Sequence, residues 1–252
     1  MNNEQKFSGK ANYYDNARPA YAESLLNTLY SDYGFARQSK IADIGSGTGI
    51  FTEQLLKRGC TVYGVEPNAD MREACEKRLK GYSNFISVNG DAANTKLLDS
   101  SVNIVTAAQA LHWFPLEEFR QECRRILKPN GLVVIVYNQR CNDIINERID
   151  AVIARTCDLN SASTGPAFIE LKRKKINDLF QGKYTEIRKS NSIPMDLNKF
   201  LSYWLSRSYA PKSDDDSYEQ FIKVMTAMFK EYAPNGIITI EQESVAYIGY
   251  VV

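Results

Sequence analysis

Three glycines in alternation, Gly45, Gly47 and Gly49, follow the apolar run Ile41-Ala42-Asp43-Ile44. That order fits a buried strand feeding a turn whose backbone is left bare for a ligand. Glycine supplies unusual dihedrals and removes the Cβ that would hold another molecule away from the amides. Ile50 to Arg58 then carries helical apolar periodicity, so a helix N-terminus is expected at the same point, and strand, turn and helix together imply a nucleotide-like ligand. A second carboxylate, Glu66, ends the next apolar run, Val62-Tyr63-Gly64-Val65. It lies roughly 20 residues past the turn, the spacing at which an acid reaches ribose hydroxyls. The dinucleotide fingerprint also asks for Gly or Ala three positions beyond Gly47, where this chain has Ile50, which weakens a dehydrogenase reading.

Asp43-Ile44-Gly45-Ser46-Gly47-Thr48-Gly49 resembles the first motif of the class I S-adenosylmethionine (SAM) dependent methyltransferases, and further landmarks follow in that family's order. Glu66-Pro67-Asn68 is similar to the second motif. Val88-Asn89-Gly90-Asp91-Ala92 resembles the third, in which the Asp side chain takes the adenine amino group and the next N–H meets a ring nitrogen. Val102 to Gln109 resembles the fourth, and Leu127-Lys128-Pro129-Asn130-Gly131 the turn into the fifth strand. The resemblance implies SAM as cofactor, S-adenosylhomocysteine as product, and a cofactor site drawn from Asp43, Gly45, Ser46, Gly47, Glu66, Pro67, Asn68, Met71, Asp91, Ala92 and Gln109.

On the acceptor side, Gln109-Ala110-Leu111-His112-Trp113-Phe114 is neither the Asn/Asp-Pro-Pro-Tyr/Phe pattern of amino-directed enzymes nor a Pro-Cys nucleophile motif. It resembles the Gln/Ser-Ala-x-His-Trp-Phe version of small-molecule methyltransferases, the type 11 group that includes trans-aconitate-like enzymes, whose acceptor is a carboxylate. Tyr14-Asp15-Asn16-Ala17-Arg18-Pro19-Ala20-Tyr21 and Ser206-Arg207-Ser208-Tyr209-Ala210-Pro211 match that group's Tyr-x-x-x-Arg-Pro-x-Tyr and Ser-x-Ser-Tyr-x-Pro segments. The resemblance adds Tyr14 and Arg18 to the cofactor site and gives the acceptor His112, Trp113 and Tyr209. His112, the one histidine of the chain, is either a general base or a pocket wall.

The elements that must position these residues alternate. Strands are expected near 40–44, 62–66, 85–88, 102–107 and 132–138, with helices near 51–58, 69–80 and 116–126, the rhythm of a parallel sheet covered on both faces. A helix opened by Pro19 is expected to run to about Tyr30. After Tyr137 come a helix-rich stretch over 142–180, a strand over 184–191, amphipathic segments near 197–207 and 216–232, and a β-rich tail with a turn near Glu243-Ser244. The predicted fold is therefore α/β: a Rossmann-like, doubly wound, mostly parallel seven-stranded sheet with an antiparallel last strand, plus a helical cap. One domain is expected over 1–252, with a lid arm at 1–35, the SAM-binding core at 36–138, the cap and sixth strand at 139–235 and the final strand at 236–252. Tyr13, Tyr14, Arg18 and Tyr21 of the arm, with Tyr203, Trp204 and Tyr209, form the expected lid.

Composition bounds the partners. With 252 residues, 44% of them apolar, the chain can bury one substantial core. Its net charge of +1, from 31 basic and 30 acidic residues, offers no global field for nucleic acid or an anionic membrane, so a small-molecule acceptor is expected. Lys172-Arg173-Lys174-Lys175 reads as a solvated helix face, and Asp214-Asp215-Asp216 as acids stabilising the start of a helix. The five cysteines are scattered and suit reduced thiols. No Cys/His cluster points to zinc, so no metal is expected. The start of the chain lacks an apolar signal core and no run is long enough to span a bilayer, which predicts a cytoplasmic protein. Oligomeric state is left open, with a monomer compatible. A methyltransferase for nucleic acid or protein, or a SAM-binding protein without transfer activity, are the alternatives.

Overall fold

The computed structural model describes residues 18–156, 165–207 and 210–251. Five parallel strands carry the first half: β1 (Lys40–Ile44), β2 (Thr61–Val65), β3 (Phe85–Val88), β4 (Val102–Ala108) and β5 (Leu127–Arg140). They alternate with α1 (Glu23–Asp32), α2 (Ile50–Lys57), α3 (Ala69–Leu79) and α4 (Leu116–Ile126). The second half adds α5 (Ile144–Thr156), α6 (Gly165–Phe180), β6 (Tyr184–Ser190), β7 (Ile193–Met195), α7 (Leu197–Leu205), α8 (Tyr218–Tyr232), β8 (Ile238–Ile240) and β9 (Gln242–Gly249). The main sheet runs β3-β2-β1-β4-β5-β9-β6, with β9 antiparallel to both β5 and β6. The expected mostly parallel seven-stranded sheet with an antiparallel last strand is therefore present, that strand lying between β5 and β6.

Burial explains the layering. β1 is covered on both faces, as near-continuous apolar strands in parallel sheets are: Ala42 and Ile44 join one core layer with Val105 and Phe119, while Ile41 joins the other with Leu25 and Leu55. A third cluster, around Phe200, Trp204, Phe221 and Met225, belongs to the cap, where α5, α7 and α8 pack with the two-stranded β7–β8 sheet. That small sheet was not expected, and it splits the tail: β8 serves the cap and β9 the main sheet.

Local differences have physical causes. The chain turns at Glu241, between β8 and β9, whereas Glu243 and Ser244 lie within β9, paired to both of its neighbours. α1 begins at Glu23 rather than just after Pro19, because residues 20–22 are held by partners that a helical turn would not meet. Gln54 Oε1 accepts from Tyr21 N, its Nε2 donates to Tyr21 O, and Ser244 Oγ accepts from Ala22 N. The acidic triplet does not cap α8. Ser217 is the N-cap, and Asp215 Oδ2 instead accepts from Lys212 N to close a preceding turn.

Candidate functional site

The C-terminal ends of β3, β2, β1 and β4 lie side by side, and the residues that follow them converge. Gly45 N donates to Val65 O and Glu66 N to Val88 O, so the glycine turn, Glu66 and the loop after β3 share one edge. All three turn glycines have positive φ, and Gly45 (+68°) and Gly47 (+56°) serve different ends. A Cβ on Gly45 would stand 2.7 Å from Ala110 Cβ, so close packing demands that glycine. A Cβ on Gly47 would meet nothing within 4 Å, which leaves the space beside its Cα open to the crevice. Glu66 is buried, with Oε2 accepting from Gly47 N at 2.9 Å and Oε1 from Asn68 N at 3.0 Å. Ser46 Oγ and Thr48 Oγ1 line the crevice and are buried without hydrogen-bond partners among the described residues. Buried hydroxyls are normally satisfied, so a turn with two orphans, an open glycine and an adjacent carboxylate fits a polar ligand carrying hydroxyl and amino groups, as SAM does.

Asp43 stands elsewhere. It is absent from the crevice lining, and its carboxylate lies beneath the turn, accepting from Thr52 Oγ1 at 2.6 Å and Thr106 Oγ1 at 2.8 Å. Both oxygens are occupied and the residue is 1% exposed, so the direct ligand contact expected from the sequence is replaced by a role in tying β1, α2 and β4 together. Burial pushes its pKa up from 3.8 to about 6, against the lowering hydrogen bonds of the two threonines. A raised carboxyl pKa means the native state binds the proton more tightly than the unfolded chain. This contribution to stability is full below the ordinary value and is lost as pH rises through about 6. Asp43→Asn, which has no charge to bury, should therefore gain thermal stability relative to wild type between pH 4 and pH 7, on the order of 5–10 °C. A difference that stays constant across that range would show that Asp43 does not titrate as described.

On the adenine side, Asn68 caps α3 through Oδ1, which accepts from Met71 N, and Pro67 O accepts from Arg72. Met71 is buried. Asp91 is exposed and uses Oδ1 to accept from Ala93 N and Asn94 N, while Ala92 is buried. The loop is anchored from below by Glu122, a residue the sequence reading missed. Its Oε1 accepts from Thr95 N and Thr95 Oγ1, and Arg125 bridges Glu122, Asp99 and Leu97 O. The Glu122–Arg125 spacing on a helix was visible in the chain, but its long-range partner was not.

β4 ends on a strained residue. Gln109 has φ +58°, held by Gln109 N donating to Val136 O and by its side-chain Nε2 donating to Asn138 O. Strain of this kind costs ~1–3 kcal/mol and clusters at functional sites. Gln109, Asn138 and Arg207 line both the narrow crevice, about 50 Å³, and a larger cavity of about 580 Å³, so the two adjoin at the strand end. Asn138 also binds the arm: Nδ2 donates to Pro19 O and Ala20 O, and Oδ1 accepts from Asn191 and Ser244. Arg18 donates to Ser206 O, fixing the arm to the end of α7.

His112 lies in a 3-10 turn (Leu111–Trp113), with Nδ1 3.5 Å from the Tyr137 hydroxyl and its ring packed on Trp113 and Phe168. Burial, reinforced by the positive charges of Lys172, Lys175 and Arg18, pulls its pKa down to about 3, so the imidazole is neutral and a weak base. The basic run is not one solvated face. Arg173 and Lys174 are exposed, but Lys172 and Lys175 turn inward. Lys175 Nζ donates to His112 O and Phe114 O, pinning the 3-10 turn. Lys172 Nζ sits 4.9 Å from the Tyr137 ring and 5.2 Å from the Phe168 ring, and burial first, then Arg207 and Arg140, lowers its pKa to about 8.

The aromatic lid is corrected in part. Tyr21 is buried and packs edge-on against Phe51, and Tyr203 and Trp204 are buried in the cap core, although Tyr203 also borders the crevice. Large buried apolar surface holds these three in place, so they cannot swing as a lid. Tyr13, Tyr14 and Tyr209 lie outside the described residues. No group of three metal-ligating side chains occurs among the described residues, and none of their helices is long and apolar enough to cross a membrane.

The model of a methyltransferase domain matches residues 42–135, which span β1 to β5. A candidate methyltransferase of Dictyostelium discoideum is 30% identical over 230 residues, 87% of this chain and 80% of that protein. An uncharacterised methyltransferase of Schizosaccharomyces pombe is 30% identical over 132 residues, 52% of this chain, and the match spans about half, 51%, of that relative's length. The solved structure of a candidate type II methyltransferase from Anaeromyxobacter dehalogenans superposes with a TM-score of 0.68 at 19% identity, covering 93% of this chain and 98% of that one.

Proposed function

The chain belongs to the class I SAM-dependent methyltransferases, and from that premise we propose that it transfers a methyl group from SAM to an oxygen of a small-molecule acceptor, a carboxylate oxygen. The observation that carries this reading is the end of β4. Gln109 opens there onto a cavity of about 580 Å³ with Lys172 at its wall, and His112, packed behind the lining residue Phe168, is a poor base. SAM supplies a sulfonium methyl whose leaving group is already activated. The protein's part is then positioning and exclusion of water. A carboxylate is ionised at neutral pH and needs no proton removed, whereas a phenol or amine would need the base that His112, pulled to a pKa of about 3, does not provide.

In this reading Glu66 takes the ribose hydroxyls, the backbone of Gly45 to Gly47 faces the methionine portion, and Asp91 with the Ala92 N–H meets the adenine. Arg18 and Tyr14 contact the cofactor from the arm. Gln109 borders both ligands, and His112, Trp113 and Tyr209 wall the acceptor. The resemblance of the Gln109 to Phe114 segment to trans-aconitate-like enzymes supports the same acceptor chemistry. The alternative of a nucleic-acid or protein substrate finds less support at this cavity, where Arg140 and Arg188 are paired with acids.

A radiolabelled-methyl screen against carboxylates, phenols, amines, tRNA and bulk protein tests the assignment. Base-labile ester label in a carboxylate is expected, while label in tRNA or protein, or SAM binding with no transfer at all, would replace it. His112→Asn should keep kcat within about tenfold of wild type, since general-base loss costs ~100-fold or more. A rate inflection near the ordinary histidine pKa, roughly 6.5, that disappears in the variant would restore the base role.

A further inference from the structure

We propose that the cavity beyond Gln109 takes an amphipathic monoanion, a single carboxylate on an aromatic or aliphatic body, with Lys172 reading the carboxylate and an apolar wall seating the body. This deepens the methyl-transfer reading and rests on it. The charge count around the cavity sets the number of anionic groups. Arg140 pairs with Asp150 at 2.5 Å. Arg188 pairs with Glu186 at 2.5 Å and Glu243 at 3.0 Å. Arg207 stacks over Tyr203 and Trp204 and donates to the Tyr203 hydroxyl, which commits it to the cap. Arg173 and Glu147 are both exposed at the rim. Lys172 is left as the half-buried cation with no hydrogen bond or ion pair among the described residues.

An ammonium removed from water is costly without a partner. The faces of Tyr137 and Phe168 offset part of that cost, and an incoming carboxylate would supply the rest. One such cation fits one carboxylate; a polyacid would leave its further charges without a match. The wall fits the rest of the molecule. Phe168, Ile169 and Ile176 of α6 face the cavity with Tyr184 and Tyr247 of the sheet, and Ile169, 55% exposed, carries the apolar surface toward the mouth. A volume of about 580 Å³ lies in the range that encloses molecules of drug size, more than a compact polyacid fills.

The chemistry closes on itself. A carboxylate oxygen lone pair forms the new O–CH3 bond as the S–CH3 bond breaks and its electron pair returns to sulfur. No proton moves. The methyl ester is neutral, so it loses its attraction to Lys172 and leaves more readily than the acid entered.

The test is calorimetric titration of the S-adenosylhomocysteine-loaded protein with 3-phenylpropanoate and decanoate, their amides, and citrate. The acids should bind at least about tenfold more tightly than the amides, the value of a hydrogen bond to a charged group. Lys172→Met should remove that preference with S-adenosylhomocysteine affinity unchanged, and Lys172→Arg should retain it. With wild type, acid affinity should fall between pH 7 and pH 9 as Lys172, lowered to about 8, gives up its proton. The guanidinium groups facing it, Arg207 and Arg140, do not lose a proton in proteins, while His112 stays neutral and the buried Tyr137 hydroxyl, its pKa raised by desolvation, stays protonated. The Lys172→Met variant should show no such fall. Equal binding of acids and amides, no binding of either acid, citrate binding more tightly than the monoacids, or Lys172→Met without effect would each overturn the proposal. Failure to bind S-adenosylhomocysteine would instead strike the methyl-transfer reading.

Discussion

Gly47→Val is expected to abolish SAM binding, raising Kd by roughly two orders of magnitude or more, while the protein still unfolds as one cooperative unit. Two effects act together. Valine at a φ of +56° is strained by ~1–3 kcal/mol, and relief by reshaping the turn breaks the Gly47 N to Glu66 hydrogen bond. If the turn holds instead, the branched side chain enters the crevice, because nothing of the protein lies within 4 Å of its Cβ position. The same emptiness is why the fold survives. Gly45→Ala supplies the contrast, since its Cβ would stand 2.7 Å from Ala110 Cβ and the loss there should appear first in thermal stability. Calorimetry with SAM beside a thermal melt separates the two. Gly47→Val binding SAM as wild type does would remove the glycine turn from the cofactor site.

The two halves of the site were unequally legible in the chain. The cofactor edge is built from short-range chemistry. A glycine needed for positive φ, an acid ending a strand and an Asn opening a helix each announce themselves within a few residues, and the parallel sheet then places them side by side without further instruction. Asp43 shows the limit even there. Its position before the turn marks it as important, but only the fold shows that Thr52 and Thr106 claim both carboxylate oxygens.

The acceptor side depends on contacts distant in sequence, and there the chain misleads. Lys172 and Lys175 sit in a run of four bases that reads as a wet helix face. Yet Phe168, Lys172, Lys175, Ile176 and Leu179 recur at three- and four-residue spacing, the signature of one stripe, and the structure turns that stripe inward. Tyr21, Tyr203 and Trp204 suggested a lid because aromatic clusters near a binding motif suggest one, whereas packing in two separate cores decides their place. The turn near Glu243-Ser244 failed for a similar reason. Strand pairing on both sides of β9 overrides a local polar signal.

The second large effect concerns Glu66. Its carboxylate accepts from Gly47 N and Asn68 N, and an ionised carboxylate, an acceptor at both oxygens with about four lone-pair sites, suits ribose hydroxyls as donors. Glu66→Gln keeps the size but replaces one acceptor oxygen by a donor, which must then face either a backbone N–H or a ribose hydroxyl. Charge-assisted hydrogen bonds to two hydroxyls are together worth roughly 2–4 kcal/mol, so SAM affinity should fall by about 30- to 1,000-fold, with a modest loss of stability from the turn. Glu66→Ala should lose at least as much and cost more stability, because the part-buried Gly47 and Asn68 amides then lose their carboxylate acceptor. A ribose-modified ligand makes the assignment specific. Removing the 2′ and 3′ hydroxyls from S-adenosylhomocysteine should weaken binding strongly in wild type and little in Glu66→Gln, a coupling of a few kcal/mol between side chain and hydroxyls. Equal losses in both proteins would mean that Glu66 shapes the turn but does not hold the ribose.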